Sequence, residues 1–234
     1  MSINTLAIDI GGSGLKASVL NEAGEMMVDR VRVPTPKPCP PELMIETLST
    51  MVAQLPEYHR ISVGFPGVVR KGVILTAPNL GTEFWNGFDL AGGLSEALGS
   101  KPIKVINDAD MQGLAAVKGE GVEMVITLGT GFGTGIYVDG KLGPHLEMAH
   151  HPFHKGATYD KTLGNANRSA IGNKKWRKRV VEAINNLTVL TNFDHLYIGG
   201  GNAKRLAGKV ELAENIKIID NKAGILGGIK IWED

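Results

Sequence analysis

Cysteine is almost absent from this chain: Cys39 is the only one in 234 residues. A single thiol excludes an internal disulfide and a cysteine-built zinc site, and it fits a reducing compartment. Excess charge is also missing. The 25 Lys and Arg against 24 Asp and Glu leave a formal net charge of +1, so no global field draws the chain to nucleic acid or to a membrane surface. The longest weakly polar run, Met124 to Val138, is dense in glycine and falls short of the ~20 residues of a membrane helix. No basic segment opens the chain and Asp9 interrupts the first apolar strand, so no secretory signal is expected and a cytoplasmic location is.

Glycine, by contrast, is abundant. The chain has 31 of them, well above the usual ~7%, and they fall in turns between apolar strands. With 43% apolar residues, the length suits one large or two small domains, each with a core of its own.

One pattern occurs twice. Leu6-Ala7-Ile8-Asp9-Ile10 runs into Gly11-Gly12-Ser13-Gly14 and a second apolar strand from Leu15. Val125-Ile126-Thr127-Leu128 runs into Gly129-Thr130-Gly131-Phe132-Gly133-Thr134-Gly135. Glycines let backbone N–H groups close on an anion, and Ser13 and Thr130 add hydroxyl donors. Two such loops facing each other would clamp phosphates. Either loop alone is compatible with a plain β-hairpin, and repetition favours the clamp. Neither fits a Rossmann turn, and Lys141 is followed by Leu142 where a P-loop needs Ser or Thr.

Between the loops, Met26 to Val33 alternates like a strand, a proline-rich connector follows, and Glu42 to Gln54 has helical spacing. Gly64-Phe65-Pro66-Gly67 reads as a turn at a strand's end, and Asn79 sits in a polar loop, either turning the backbone or meeting a ligand. Ile103 to Ile106 is β-branched and ends at Asn107-Asp108, with a helix expected over Met111 to Lys118. Asp108 is then either an N-cap or a general base with Asn107 beside it.

Past the second loop, His145, His150, His151 and His154 are four of the six histidines. Such a cluster can bind a transition metal, although Pro152 breaks any helix that would align the ligands; Glu147 and His150 can instead bind a polyol. Lys174-Lys175-Trp176-Arg177-Lys178-Arg179 opens a helix candidate. That run is a solvated face, an RNA stripe or a site for a polyanionic substrate. Trp176 is expected to pack inward. Gly199-Gly200-Gly201 stands between a strand and a short helix, a strand from Ile216 ends at Asp220, and a glycine-weakened helix from Ala223 to Lys230 must rely on packing.

Taken in order, Asp9-x-Gly11-Gly12-Ser13, Pro78-Asn79-Leu80, Asn107-Asp108-Ala109, Leu128-Gly129-Thr130-Gly131, Glu147-x-x-His150 and Gly199-Gly200-Gly201 resemble the sugar kinases of the ROK family. Gly172-x-Lys174-Lys175-Trp176-x-x-Arg179 is similar to the bacterial polyphosphate glucokinases within it. The resemblance implies a duplicated α/β fold of the actin, Hsp70 and hexokinase (ribonuclease H-like) type, with two lobes around a cleft. The expected lobes are residues 1–108 and 109–234, with the terminal helix free to pack back on the first.

It further implies transfer of a phosphoryl group from polyphosphate or ATP to the 6-hydroxyl of glucose. Asp108 would be the base. Asn79, Asn107, Glu147 and His150 would bind the sugar, and Asp9 would orient hydrated Mg²⁺. Gly11, Gly12, Ser13 and Lys16 would form the first phosphate loop, Thr130 and Gly131 the second. Gly199, Gly200 and Gly201 would take a nucleotide, and Lys174, Lys175, Lys178 and Arg179 a polyphosphate. A homodimer is implied, without nucleic acid or membrane partners. Many ROK proteins carry a cysteine-rich zinc motif after Glu-x-x-His; here His151-Pro152-Phe153-His154-Lys155 replaces it, so no structural zinc is expected. Rival readings are an ATP-only hexose kinase and a sugar-sensing regulator, the latter disfavoured because no helix-turn-helix precedes the first loop.

Overall fold

A computed structural model describes residues 2–219 and 223–233. The chain forms two compact units, residues 1–115 with 222–234, and residues 116–221. The expected boundary after Asp108 therefore moves to Ala115.

In the first unit, β1 (Thr5–Ile10) and β2 (Leu15–Leu20) form the antiparallel hairpin around the first glycine loop. The expected strand from Met26 shrinks to β3 (Val31–Val33), with only an isolated bridge between Leu20 and Met26. Helix α1 (Pro41–Val52) starts on proline, whose missing N–H costs nothing in a first turn. Then come β4 (Arg60–Phe65), the small hairpin β5 (Val69–Arg70) and β6 (Val73–Ile74), α2 (Thr82–Trp85), α3 (Leu90–Ala97), β7 (Ile103–Asn107) and α4 (Asp108–Leu114). The sheet order is β3-β2-β1-β4-β7, with β1, β4 and β7 parallel.

The second unit repeats that plan. Strands β8 (Val122–Leu128), β9 (Phe132–Val138) and β10 (Lys141–Leu142) are antiparallel neighbours. After β11 (Pro152–His154), β12 (Ala157–Thr158), α5 (Tyr159–Leu163), α6 (Asn165–Ile171) and α7 (Asn173–Thr191), β13 (His195–Gly199) and β14 (Ile216–Ile218) join in parallel. The order β10-β9-β8-β13-β14 has the same sequence of antiparallel and parallel pairings as the first sheet. Asp220, expected to end the last strand, lies outside the described residues.

Alternation along the strands divides each core. In β1, Leu6, Ile8 and Ile10 pack with Met44 and Leu48 of α1, whereas Ala7 joins Leu20 with Ile225 and Ile229 of the last helix. That helix, α8 (Ala223–Lys230), belongs to the first unit. Its glycines explain how. A Cβ on Gly227 would stand 1.7 Å from the Met111 carbonyl oxygen of α4, and one on Gly228 would stand 2.8 Å from the Ala7 Cβ. The helix gives up intrinsic propensity so that its backbone can touch both a sheet and a helix. Ser62 Oγ donates to the Gly228 carbonyl at 2.6 Å, and Trp232 is flanked by Arg60 and Lys104, each 4.9 Å from its ring centroid. The same packing holds α4 in the first unit and moves the boundary past it.

In the second unit α7 lays Trp176, Val180, Ala183, Ile184 and Leu187 over Met124, Ile126 and Leu128. Trp176 is 0% exposed and donates from Nε1 to the Leu163 carbonyl at 2.7 Å, the inward packing that the sequence predicts. On the opposite sheet face, Tyr197 donates to Glu123 Oε1 at 3.0 Å, and Glu123 also accepts backbone N–H groups from Lys118, Gly119 and Glu120. Burial by itself would raise the Glu123 pKa; these hydrogen bonds outweigh it and hold the carboxyl below its usual 4.5. Tyr197 is pushed up to about 12, first by burial and then by Glu123.

Candidate active site

Three parallel strands of the first sheet end on the same edge. Asp9 is in register with Gly64 and Gly64 with Ile106, so Asp9 and the end of β7 are separated by one intervening strand. That carboxyl edge is where open α/β sheets place ligands. Asp9 Oδ2 meets Lys16 Nζ at 2.6 Å, and Lys16 is itself paired in register with Arg32 of β3. The loop between Asp9 and Lys16 is closed by Gly11 N–H donating to the Gly14 carbonyl at 3.1 Å. Thr35 Oγ1 donates to the Gly11 carbonyl at 2.6 Å. A Cβ on Gly12 would stand 2.9 Å from the Asn79 Cβ, and one on Gly14 would stand 3.2 Å from Arg32 Nε. Asn79 and Arg32 thus lie against the first loop, an adjacency across strands and loops that no local pattern announces for Arg32.

At the end of β7 the N-cap reading of Asp108 gives way to its neighbour. The N-cap of α4 is Asn107, whose Oδ1 accepts from Ala109 N–H at 2.8 Å and Asp110 N–H at 3.3 Å. Its Nδ2 donates to the Gly67 carbonyl at 3.1 Å. Asn107 is buried and fastens the Pro66 turn to the helix start. Asp108 occupies the first helical position, half-buried, with Oδ1 accepting from Ala109 N–H at 2.8 Å. The helix therefore begins three residues earlier than expected and ends at Leu114. Strand β4 passes close beneath it, since a Cβ on Gly64 would stand 3.2 Å from the Asp108 Cα.

The second loop is tighter and supported differently. Gly129 N–H donates to the Gly131 carbonyl at 3.1 Å, and Asn165 N–H is shared between the Gly129 and Thr130 carbonyls at 3.1 Å each. Asp160 Oδ1 accepts from Phe132 N–H at 2.9 Å. The triple glycine is part of this support: Gly200 has φ +87 and a Cβ there would be 2.5 Å from the Leu128 carbonyl oxygen, while Asn202 N–H donates to that carbonyl at 2.8 Å. By contrast, a Cβ on Gly129 or on Gly201 would meet nothing within 4 Å. Those two glycines leave open space at the loop, room that a ligand can use. Asp160, Asn165 and Asn202 had no signal in the sequence beyond the polarity of a turn.

Glu147 is half-buried ahead of the short 3₁₀ turn Met148–His150, with Oε2 3.6 Å from His145 Nε2; His150 is exposed. His154 instead reaches Glu182 at 3.5 Å and His151 lies against Tyr159. Among the described residues no group of three or more His, Cys, Asp or Glu is placed to hold a metal ion. On α7, Lys174, Arg177 and Lys178 line a groove together with Lys209, a residue distant in sequence from the cationic run; Lys175 and Arg179 do not line it.

A family model described as the ROK family matches residues 5–167. The chain belongs to the ROK family. It is 30% identical to the polyphosphate glucokinase of Mycobacterium tuberculosis, an alignment spanning 94% of this chain and 88% of that protein. The crystal structure of the inorganic polyphosphate/ATP-glucomannokinase from an Arthrobacter strain superposes with a TM-score of 0.88 at 30% identity, covering 97% of both chains. A ROK glucokinase from Streptomyces griseus, solved with glucose and AMPPNP, gives a TM-score of 0.75 at 19% identity over 97% of this chain and 98% of that one, a likeness that bears on fold alone. The two repeated sheets are thus the duplicated actin- and hexokinase-like fold of ROK sugar kinases.

Proposed function

We propose that this chain is a glucokinase that transfers a phosphoryl group from inorganic polyphosphate, and from ATP, to the 6-hydroxyl of glucose. The near full-length kinship with a polyphosphate glucokinase and with a polyphosphate/ATP-glucomannokinase supports both the acceptor and the choice of donors. The observation that carries the chemistry is the position of Asp108. It sits at the carboxyl edge of the first sheet, at the first position of α4 and just past the N-cap that Asn107 provides. Asp108 takes the proton of the 6-hydroxyl as that oxygen bonds to the terminal phosphorus. The bridging P–O bond breaks, and the donor leaves one phosphate shorter. Asn107 positions the start of α4, and Asn79, Glu147 and His150 take the remaining sugar hydroxyls.

Phosphoryl transfer asks chiefly for positioning and charge neutralisation. The N–H groups of Gly11, Gly12 and Ser13 with Lys16, and Thr130 with Gly131, bind donor phosphates. Mg²⁺ takes hard oxygen ligands and keeps most of its waters, and a lone carboxylate such as Asp9, held beside the loop by Lys16, suits it. Bound there, the ion would neutralise charge on the phosphate oxygens. Gly201, whose surroundings are open, gives ATP space beside the second loop.

The test is formation of glucose 6-phosphate, followed through a dehydrogenase, with glucose and long-chain polyphosphate, ATP or no donor. Product is expected with each donor and none without. Product with ATP alone would reduce the protein to an ATP-dependent hexose kinase, and no product with either would leave a sugar-binding regulator.

A further inference from the structure

The cationic run on α7 is divided by its own helix. Lys174, Arg177, Lys178 and Val181 follow the i, i+3, i+4, i+7 spacing of one face, and with Lys209 and Val210 they line a groove of about 490 Å³. Among the described residues no carboxylate lines it. Lys175 and Arg179 stand on the face that carries Glu182, the partner of His154 at 3.5 Å. Trp176 is sealed in the core beneath.

The groove is linked to the second glycine loop through a short chain of polar contacts, all within one unit. Asn202 Nδ2 donates to the Gly129 carbonyl at 3.2 Å, Arg205 Nε donates to Asn202 Oδ1 at 3.1 Å, and an Arg177 guanidinium N–H donates to the Arg205 carbonyl at 3.1 Å. Arg205, Arg177, Lys178, Lys174 and Lys209 therefore form a path of positive charge leading away from the loop. The path has an electrostatic cost of its own. The first turn of α7 contains no acidic residue, so its lysines sit unrelieved at the positive end of a 19-residue helix dipole. An anion lying in the groove removes that conflict.

We infer that this groove holds the distal phosphates of a long polyphosphate, with Lys209 and Arg177 as determinants of the track alongside Lys174 and Lys178, and with Lys175 and Arg179 outside it. The inference rests on the donor proposed above. A linear polyanion fits the lining better than a nucleobase does, because the walls offer four cations and two valines and no aromatic ring.

The experiment compares two double variants with the same change of charge, Lys178→Glu with Lys209→Glu and Lys175→Glu with Arg179→Glu. Thermal melts establish that each folds, and the milder single variant Lys209→Gln serves if the groove pair does not. For the groove pair, KM for long-chain polyphosphate should rise about tenfold or more and its salt dependence should flatten, while KM for ATP moves less than about twofold. The other pair should change KM for polyphosphate by less than about twofold. Equal effects of the two pairs, a larger effect of the second, or an equal rise in KM for ATP would each overturn the track. Equilibrium binding of long polyphosphate without glucose separates this outcome from failure of the proposed activity. A wild-type protein that binds polyphosphate through the groove yet phosphorylates nothing refutes the activity and leaves the track standing.

Discussion

The two glycine loops occupy equivalent places in two sheets of identical strand order, yet they are held by different means. The first carries its charge at the hairpin itself: Asp9 and Lys16 pair at 2.6 Å and Arg32 lies against Gly14. The second has no charged side chain between Gly129 and Gly133 and is held by Asn165, Asn202 and Asp160 from other elements, with cations only further along at Arg205 and Arg177. Duplicated topology thus preserves the turn and lets the surroundings diverge. One loop pairs its charges at the hairpin itself; the other is braced by polar side chains of neighbouring elements.

The sharpest break in the comparison is Asp108→Asn. In our scheme Asp108, at the strand edge of the first unit, accepts the proton, so kcat should fall about 10²–10⁴-fold with an unchanged melting temperature. A variant keeping a third of wild-type kcat would remove Asp108 from the role of base. Next in size is a pair of glycine substitutions. Gly200→Ala places a side chain at φ +87 against the Leu128 backbone at 2.5 Å, whereas Gly11→Ala meets only the Gly14 carbonyl at 2.9 Å. The first should cost more than about 2 kcal/mol in urea unfolding and the second about half that. Equal losses would mean that the triple glycine does not support its loop.

A smaller effect is expected from Asp9→Asn, which tests the charged loop alone: the Mg²⁺ needed for half-maximal rate should rise about tenfold. An unchanged Mg²⁺ requirement would detach Asp9 from the metal. The smallest effect concerns the far side of the second sheet. Glu123 has a folded pKa below 4.5, so its ionised form contributes stability that is present above that value and lost as pH falls through the folded one. The stability difference between wild type and Glu123→Gln should therefore shrink below about pH 4.5. A difference that stays constant to lower pH would show that the carboxylate is not what anchors the Lys118–Glu120 turn.

Much of this was legible before any coordinates. Both hairpins, α1 and the inward Trp176 follow from apolar periodicity and from glycine or proline at fixed offsets, signals confined to a few neighbouring residues. The cap of α4 was less legible, because Asn107 and Asp108 are both good caps and only the bonds from Asn107 to Gly67 and Ala109 choose between them. Arg32 beside Gly14 and Lys209 beside Lys178 had no local signal at all.

The sequence by itself determined the repeated strand–loop–strand units, the residue types available for phosphate and sugar, and the family resemblance, because each is written in contiguous segments. Tertiary structure alone decided that α4 and α8 join the first unit, that Asn107 and not Asp108 caps α4, and that Arg177 and Lys209 share a groove from which Lys175 and Arg179 are excluded. Those outcomes depend on which backbones approach closely enough to forbid a Cβ, as at Gly227 and Gly200, and on which helix face packing turns inward, quantities set by distant residues meeting in space.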